Sequence, residues 1–183
     1  FGQAFVVENR VGAGGVGTFR LPVIQTAMGW VAKPELVAAA SNAGAFGFLA
    51  CAVMTPTEAG EEIARLRDLT THNFGINFHS FQPGAVEIVE LILKHSDRVS
   101  AVSFGRGPDA KMIGRFRDAG ILCIPTVGAV KHAEKMVQLG CEMVTIQGGE
   151  GGGAAADAAS DADREEAALR APCCSSQGHG SRC

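Results

Sequence analysis

From Leu21 to Gln147 the chain alternates between short apolar runs and amphipathic stretches, and that alternation leaves few folds open. The runs read LPVIQT, FGFLA, FGINF, VSAVSF, ILCIP and MVTIQ. Between them lie PELVAAASNAG, PTEAGEEIARLRDL, PGAVEIVELILKH, PDAKMIGRFRDAG and AVKHAEKMVQLG. A short apolar run with little polar alternation suits a strand covered on both faces. The longer stretches carry helix signals. Pro34, Pro56, Pro83 and Pro108 stand near a first turn, where a missing N–H costs nothing, and Gly44, Gly120 and Gly140 stand where a helix would end. Ile63, Leu66 and Leu69 fall on one side of their stretch, beside Glu62, Arg65 and Asp68; Val86, Val89 and Ile92 or Leu93 repeat the pattern in the next. Strand, helix, strand, repeated roughly every 21 to 28 residues, predicts a parallel α/β sheet of about six strands. A doubly wound open sheet takes six strands without remainder, whereas an eight-unit barrel needs about 250 residues; periodicity does not choose between them.

A hydrophobic content of 46% supports one sizeable core. Sixteen basic and 19 acidic residues give a net charge of -3, with no basic stripe for nucleic acid. Leu36 to Thr57 is uncharged and long enough to raise a membrane helix, but Ser41, Asn42, Gly44, Gly47 and Pro56 read as helix, turn and buried strand, so no membrane contact is expected. The first residues lack the basic start and apolar middle of a signal peptide, which favours a cytoplasmic location, and the start at Phe1 suggests a fragment. Cys51, Cys123 and Cys141 read as reduced core residues. Cys173, Cys174, His179 and Cys183 match no common zinc spacing. Residues 154–183 keep Leu169 as their large apolar side chain, too little to order a segment, and are expected to be a disordered, low-complexity tail.

Four stretches carry candidate chemistry. Gly12, Gly14 and Gly17 satisfy G-x-G-x-x-G, but Thr18 to Pro22 lead straight into a strand where a dinucleotide loop would open a helix. In LPVIQTAMGW, small residues Ala27 and Gly29 flank Met28 at a strand's carboxyl end. There backbone amides approach a flat ring and Met28 packs on it, or the segment is an ordinary turn. In FGINFHS, Asn77 is an amide inside an apolar strand, bonded either to a ligand's polar edge or to a neighbouring loop. His79 near that strand's end is a general base or, more commonly for a lone histidine, a structural residue. In VTIQGGEGGG, Gln147 precedes consecutive bare amides suited to lining an anion, or a linker.

Taken together, LPVIQTAMGWVAKPELVAAASNAGAFGFLA, FGINF, IPTVGAVKHAEKMVQLG and VTIQGGEGGG resemble the nitronate monooxygenases, once called 2-nitropropane dioxygenases, over about residues 20 to 153. The resemblance implies an incomplete TIM (β/α)8-type barrel, with about six strands of eight. It implies bound FMN and oxidation of alkyl nitronates by molecular oxygen to carbonyl compounds and nitrite. Ala27, Met28 and Gly29 would contact the flavin, Asn77 matches a flavin-binding asparagine, and Gln147 and Gly152 match a flavin-binding glutamine and glycine. Where the family's glycine run continues into a catalytic histidine, this chain has Ala154, which neither takes a proton nor hydrogen-bonds a nitro group; impaired activity is the expectation.

Residues 1–18, FGQAFVVENRVGAGGVGT, resemble a segment of the receptors of tripartite tricarboxylate transport. The organisation expected is therefore a foreign or poorly ordered segment at 1–19, a partial FMN-binding barrel at 20–153, and an unrelated tail at 154–183. A single uninterrupted gene yielding this product intact would contradict that composite reading. Alternative functions are an FMN-dependent enoyl-acyl carrier protein reductase-like barrel, which would consume NADH, and an inactive truncated product.

Overall fold

A computed structural model describes residues 21, 23–105 and 109–147. The chain divides into two compact units, 1–146 and 147–183. In the first, the elements follow strictly as strand and helix: β1 Ile24–Gln25, α1 Pro34–Asn42, β2 Phe46–Ala50, α2 Pro56–Leu69, β3 Phe74–His79, α3 Ala85–Lys94, β4 Val99–Gly105, α4 Ala110–Asp118, β5 Leu122–Val127, α5 Val130–Gln138 and β6 Thr145–Ile146. A short 3-10 turn, Cys51–Val53, links β2 to α2. Each of the six runs thus contains a strand, although LPVIQT and MVTIQ contribute only two paired residues each.

The strands pair in parallel in the order β1-β2-β3-β4-β5-β6. A doubly wound sheet would reverse its order part-way and carry helices on both faces. Here the order never reverses and one face takes the helices. Ile63, Leu66, Ile88, Ile92, Ile113 and Phe116 pack there against Leu49, Phe74, Ile76, Phe78, Val102 and Phe104. The other face carries a smaller cluster, Phe46, Phe48, Ala101 and Ile124, with Ala27 and Leu122 beside it. The fold is therefore a half-barrel of the TIM type, with an inner face of its own.

The helices begin and end largely where local chemistry dictates. Pro34 and Pro56 occupy first helical positions, and Thr55 with Glu58 forms a capping box at the start of α2. Gly44, Gly120 and Gly140 follow α1, α4 and α5 with φ of 95°, 73° and 88°, a region open to glycine without a Cβ penalty. Two expectations need correction. Val86 and Leu69 lie exposed, and the buried stripe of α3 is Ile88, Val89 and Ile92. The helix starts at Ala85, and its contact with the sheet begins one turn later; Leu69 is the last residue of α2 and turns to solvent.

Surface ion pairs join successive helices: Lys33 to Glu62 at 3.0 Å, Glu35 to Arg65, Arg67 to Asp97 at 2.8 Å and Glu90 to Arg115 at 2.8 Å. Such pairs contribute about 0–1 kcal/mol each, against about 1.5–3 kcal/mol for one fully buried large apolar side chain, so the helix face of the sheet dominates. Cys51, Cys123 and Cys141 are free and buried, as expected of core residues. Burial pushes the Cys51 and Cys123 thiols up to about 12. No described helix is long and apolar enough to cross a membrane.

Gly75 has no side chain because the Phe48 ring fills that space. A Cβ there would stand 2.3 Å from Phe48 Cε1 and 2.4 Å from Cδ1. Phe48 is buried in the inner cluster, so Gly75→Ala should lower stability by about 1–3 kcal/mol. Urea unfolding checks this, and an unchanged midpoint would show that the Phe48 ring turns aside freely.

Candidate functional site

The register of the strands sorts the inner face into rows. Phe48, Gly75, Ala101 and Leu122 form one; Ala50, Asn77, Ser103 and Ile124 form the next; His79, Gly105, Thr126 and Thr145 form the row at the carboxyl ends. Phe48 and Leu122 fill the first row and Ile124 stands in the second, while the other residues of the last two rows are small or polar. The inner face is thus closed at its amino end and opens toward the strands' carboxyl ends, where parallel α/β folds hold ligands.

Asn77 is half-buried in β3. Its Nδ2 donates to the Ser103 carbonyl oxygen at 3.1 Å and reaches Ser103 Oγ at 3.4 Å. A carbonyl only accepts, so the amide cannot be the other way round. Asn77 Oδ1 makes no hydrogen bond among the described residues, so the amide keeps an acceptor of fixed polarity. Of the two partners expected for the amide, a ligand or a neighbouring loop, the structure shows neither; the partner is the neighbouring strand β4.

Ala27 packs beside the inner cluster, on the loop after β1. That loop folds on itself: the Val31 and Ala32 N–H groups donate to the Met28 carbonyl at 3.1 and 2.8 Å, and the Ala50 N–H donates to the Ala32 carbonyl at 3.1 Å, tying the loop to the end of β2. Met28 is 59% exposed. A Cβ on Gly29 would lie 3.3 Å from Val53 Cγ1, so a larger residue would push the loop off the 3-10 turn. Trp30, 76% exposed, holds a φ of 67°, a conformation that side chains of its size rarely adopt and that cost of order 1–3 kcal/mol elsewhere. His79 ends β3; its ring stacks on Phe81, with centroids 5.0 Å apart and planes 12° apart.

Ala27, Met28, Gly29 and Asn77 thus share the carboxyl end of the half-barrel. Gln147 follows β6 directly and is the described residue of the second unit. Gly152, Ala154, the motif at Gly12 to Gly17 and the cysteines and histidine of the tail lie outside the described residues. Sequence reading missed Ser103 and Gln82, whose types are ordinary for a strand and a loop. Among the described residues no group of three histidine, cysteine or acidic side chains could hold a metal ion. A cavity of about 170 Å³ lies at the opposite end of β5, lined by Ile113, Arg117, Ile121 and Cys123, and contains none of these residues.

A family model described as nitronate monooxygenase matches residues 15–173, beginning within the segment 1–19 and running on past residue 153. Among curated proteins, (3aS,4S,5R,7aS)-5-hydroxy-7a-methyl-1-oxo-octahydro-1H-indene-4-carboxyl-CoA dehydrogenase from Rhodococcus jostii is 44% identical over 132 residues, 72% of this chain and 37% of that protein. A protein named "Probable nitronate monooxygenase" from Bacillus subtilis is 28% identical, over 72% of this chain and 48% of its own. Among solved structures, nitroalkane oxidase from Streptomyces ansochromogenes superposes with a TM-score of 0.66 at 34% identity, covering 74% of this chain and 49% of that one. FabK from Thermotoga maritima gives 0.69 at 30% identity, covering 74% and 43%. The chain spans between about a third and a half of the length of these relatives.

The Ser103 contact predicts the behaviour of two variants. Asn77→Asp sets a carboxylate against the Ser103 carbonyl and should cost about 1–3 kcal/mol at neutral pH. The site disfavours the charged form, so the folded carboxyl titrates above the unfolded value of about 3.9, and the deficit should shrink as pH falls toward roughly 4, where the carboxyl has regained a proton to donate. Ser103→Ala keeps the carbonyl and should cost less than half as much. Thermal unfolding of both across pH checks the pair; equal costs would place the bond at the hydroxyl.

Proposed function

This chain belongs to the nitronate monooxygenase family, and from that premise we propose that the carboxyl end of its half-barrel is part of the flavin site of an oxidoreductase acting on a small organic substrate. The family and the two solved neighbours support a flavin-dependent enzyme. The observation that carries the reading to these residues is the Asn77 amide. Its Nδ2 is consumed by Ser103 and its Oδ1 makes no hydrogen bond among the described residues, so it would accept from an N–H on the edge of a planar ring. The small residues Ala27, Gly29, Ala50 and Gly105 leave room beside it for such a ring.

In the finer reading the ring is FMN, and it supplies the electron transfer to molecular oxygen while an alkyl nitronate becomes a carbonyl compound and nitrite. Ala27, Met28 and Gly29 would line the ring's face and Asn77 its edge; Gln147 and Gly152 match flavin-binding positions through the family resemblance alone. Ala154 offers no hydrogen-bond partner for the nitro group where the family resemblance places a catalytic histidine, so the nitronate would be held less well for electron transfer and the rate would drop. The 44% identity to the bicyclic carboxyl-CoA dehydrogenase supports a second reading, in which the substrate is a CoA thioester of a carbocyclic acid.

The purified chain should take up FMN with a bound-flavin visible spectrum. Nitrite release from a nitronate should be slow, and Ala154→His should raise it by roughly 10²-fold. A wild-type rate equal to that of the variant would sink the assignment of position 154. Turnover of the bicyclic CoA thioester without nitrite release would select the second reading.

A further inference from the structure

The loops after β2 and β3 meet at the mouth, and one side chain joins them. Gln82 Nε2 donates to the carbonyl oxygens of Cys51 at 3.1 Å and Met54 at 3.4 Å, while Gln82 Oε1 accepts the His79 backbone N–H at 2.8 Å. The same two loops touch where a Cβ on Gly84 would stand 2.4 Å from Pro56 Cγ. The 3-10 turn also carries Val53 against Gly29, so the junction extends to the loop after β1. All three βα loops that border Asn77 on this side are therefore connected, and Gln82 is the polar group in the middle. Its amide donates and accepts at once, and both functions are in use. A carboxylate offers no donor for the two carbonyls, and a thioether or alkyl chain of similar length offers neither function.

We propose that Gln82 is a positioning residue for the mouth: by clamping the turn at 51–54 to the loop at 79–84, it holds Gly29, His79 and Phe81 in place around Asn77, and ligand affinity depends on that clamp. The dependence of ligand affinity rests on reading the mouth as a flavin site; the clamp itself rests on the geometry alone.

Gln82→Met removes the three hydrogen bonds at nearly constant length. Cys51 reports the clamp, because its own carbonyl is held by Gln82 and its thiol is fully buried. Cys123 and Cys141 sit away from the mouth, beside the amino end of β5, and report global opening. Alkylation by iodoacetamide, read cysteine by cysteine by mass spectrometry, should speed up roughly tenfold at Cys51 and stay at the wild-type rate at Cys123 and Cys141. Fluorescence titration with FMN should show a Kd raised roughly fivefold or more. Gln82→Glu should give the same selective exposure of Cys51. A Cys51 rate unchanged, or one that rises only in step with Cys123 and Cys141 in both variants, overturns the clamp. Selective exposure of Cys51 with an unchanged FMN Kd overturns its role in positioning. If the wild-type chain fails to bind FMN, the flavin reading fails instead, and the Cys51 selectivity alone decides the clamp.

Discussion

One extra residue in β4 sets the chemistry of the inner face. Phe74 pairs with Val99, but the next residue, Gly75, pairs with Ala101, so Ser100 is left between them as a bulge. Strand side chains alternate with a period of two, and a single inserted residue sends everything after it to the opposite face. Without the bulge, Val102 and Phe104 would point into the barrel and Ser103 would face the helices. With it, Val102 and Phe104 join the helix-side core, and Ala101, Ser103 and Gly105 line the interior. The Asn77–Ser103 contact follows from that shift, as does the small, polar character of the rows near the mouth.

The inner face grades from filled to open for reasons of size. Phe46 and Phe48 meet edge to face at 5.3 Å near its amino end, and Phe48 lies across Gly75. That plug supports the floor of the mouth without a helix behind it. Beyond it, apart from Ile124, stand small or polar residues, and backbone hydrogen bonds and Gln82 tie the loops above together. Stability and function are thus separated along each strand. Large side chains do their work on the helix side and at the amino end, and the carboxyl end is the end at which folds of this type hold ligands.

Much of the fold was legible in the chain. The apolar runs locate all six strands, and FGFLA and PTEAGEEIARLRDL match β2 and α2 residue for residue. Proline starts and glycine stops work because their causes are local: a missing N–H at Pro56, a positive φ at Gly120. The Thr55–Glu58 capping box went unread, although a threonine and a glutamate three apart are its local signal. Val86 and Leu69 were misread because spacing by three gives a stripe but not the turn at which the sheet begins to cover it. Asn77 stood out as an amide in an apolar strand. Ser103 and Gln82 did not, since a serine in a strand and a glutamine in a loop acquire meaning only from a partner 26 to 31 residues away.

The sequence by itself determined the elements, their parallel pairing class and the membership of the chain in a flavin-enzyme family, because hydrophobic period, caps and contiguous motifs are local properties. Tertiary structure decided between barrel and open sheet, through a strand order that never reverses and helices confined to one face. It also decided which side of β4 faces the interior, and which atom of Asn77 is bonded to the neighbouring strand. Those outcomes depend on register between distant strands, which is fixed by the simultaneous packing of both sheet faces and leaves no mark at any single position of the chain.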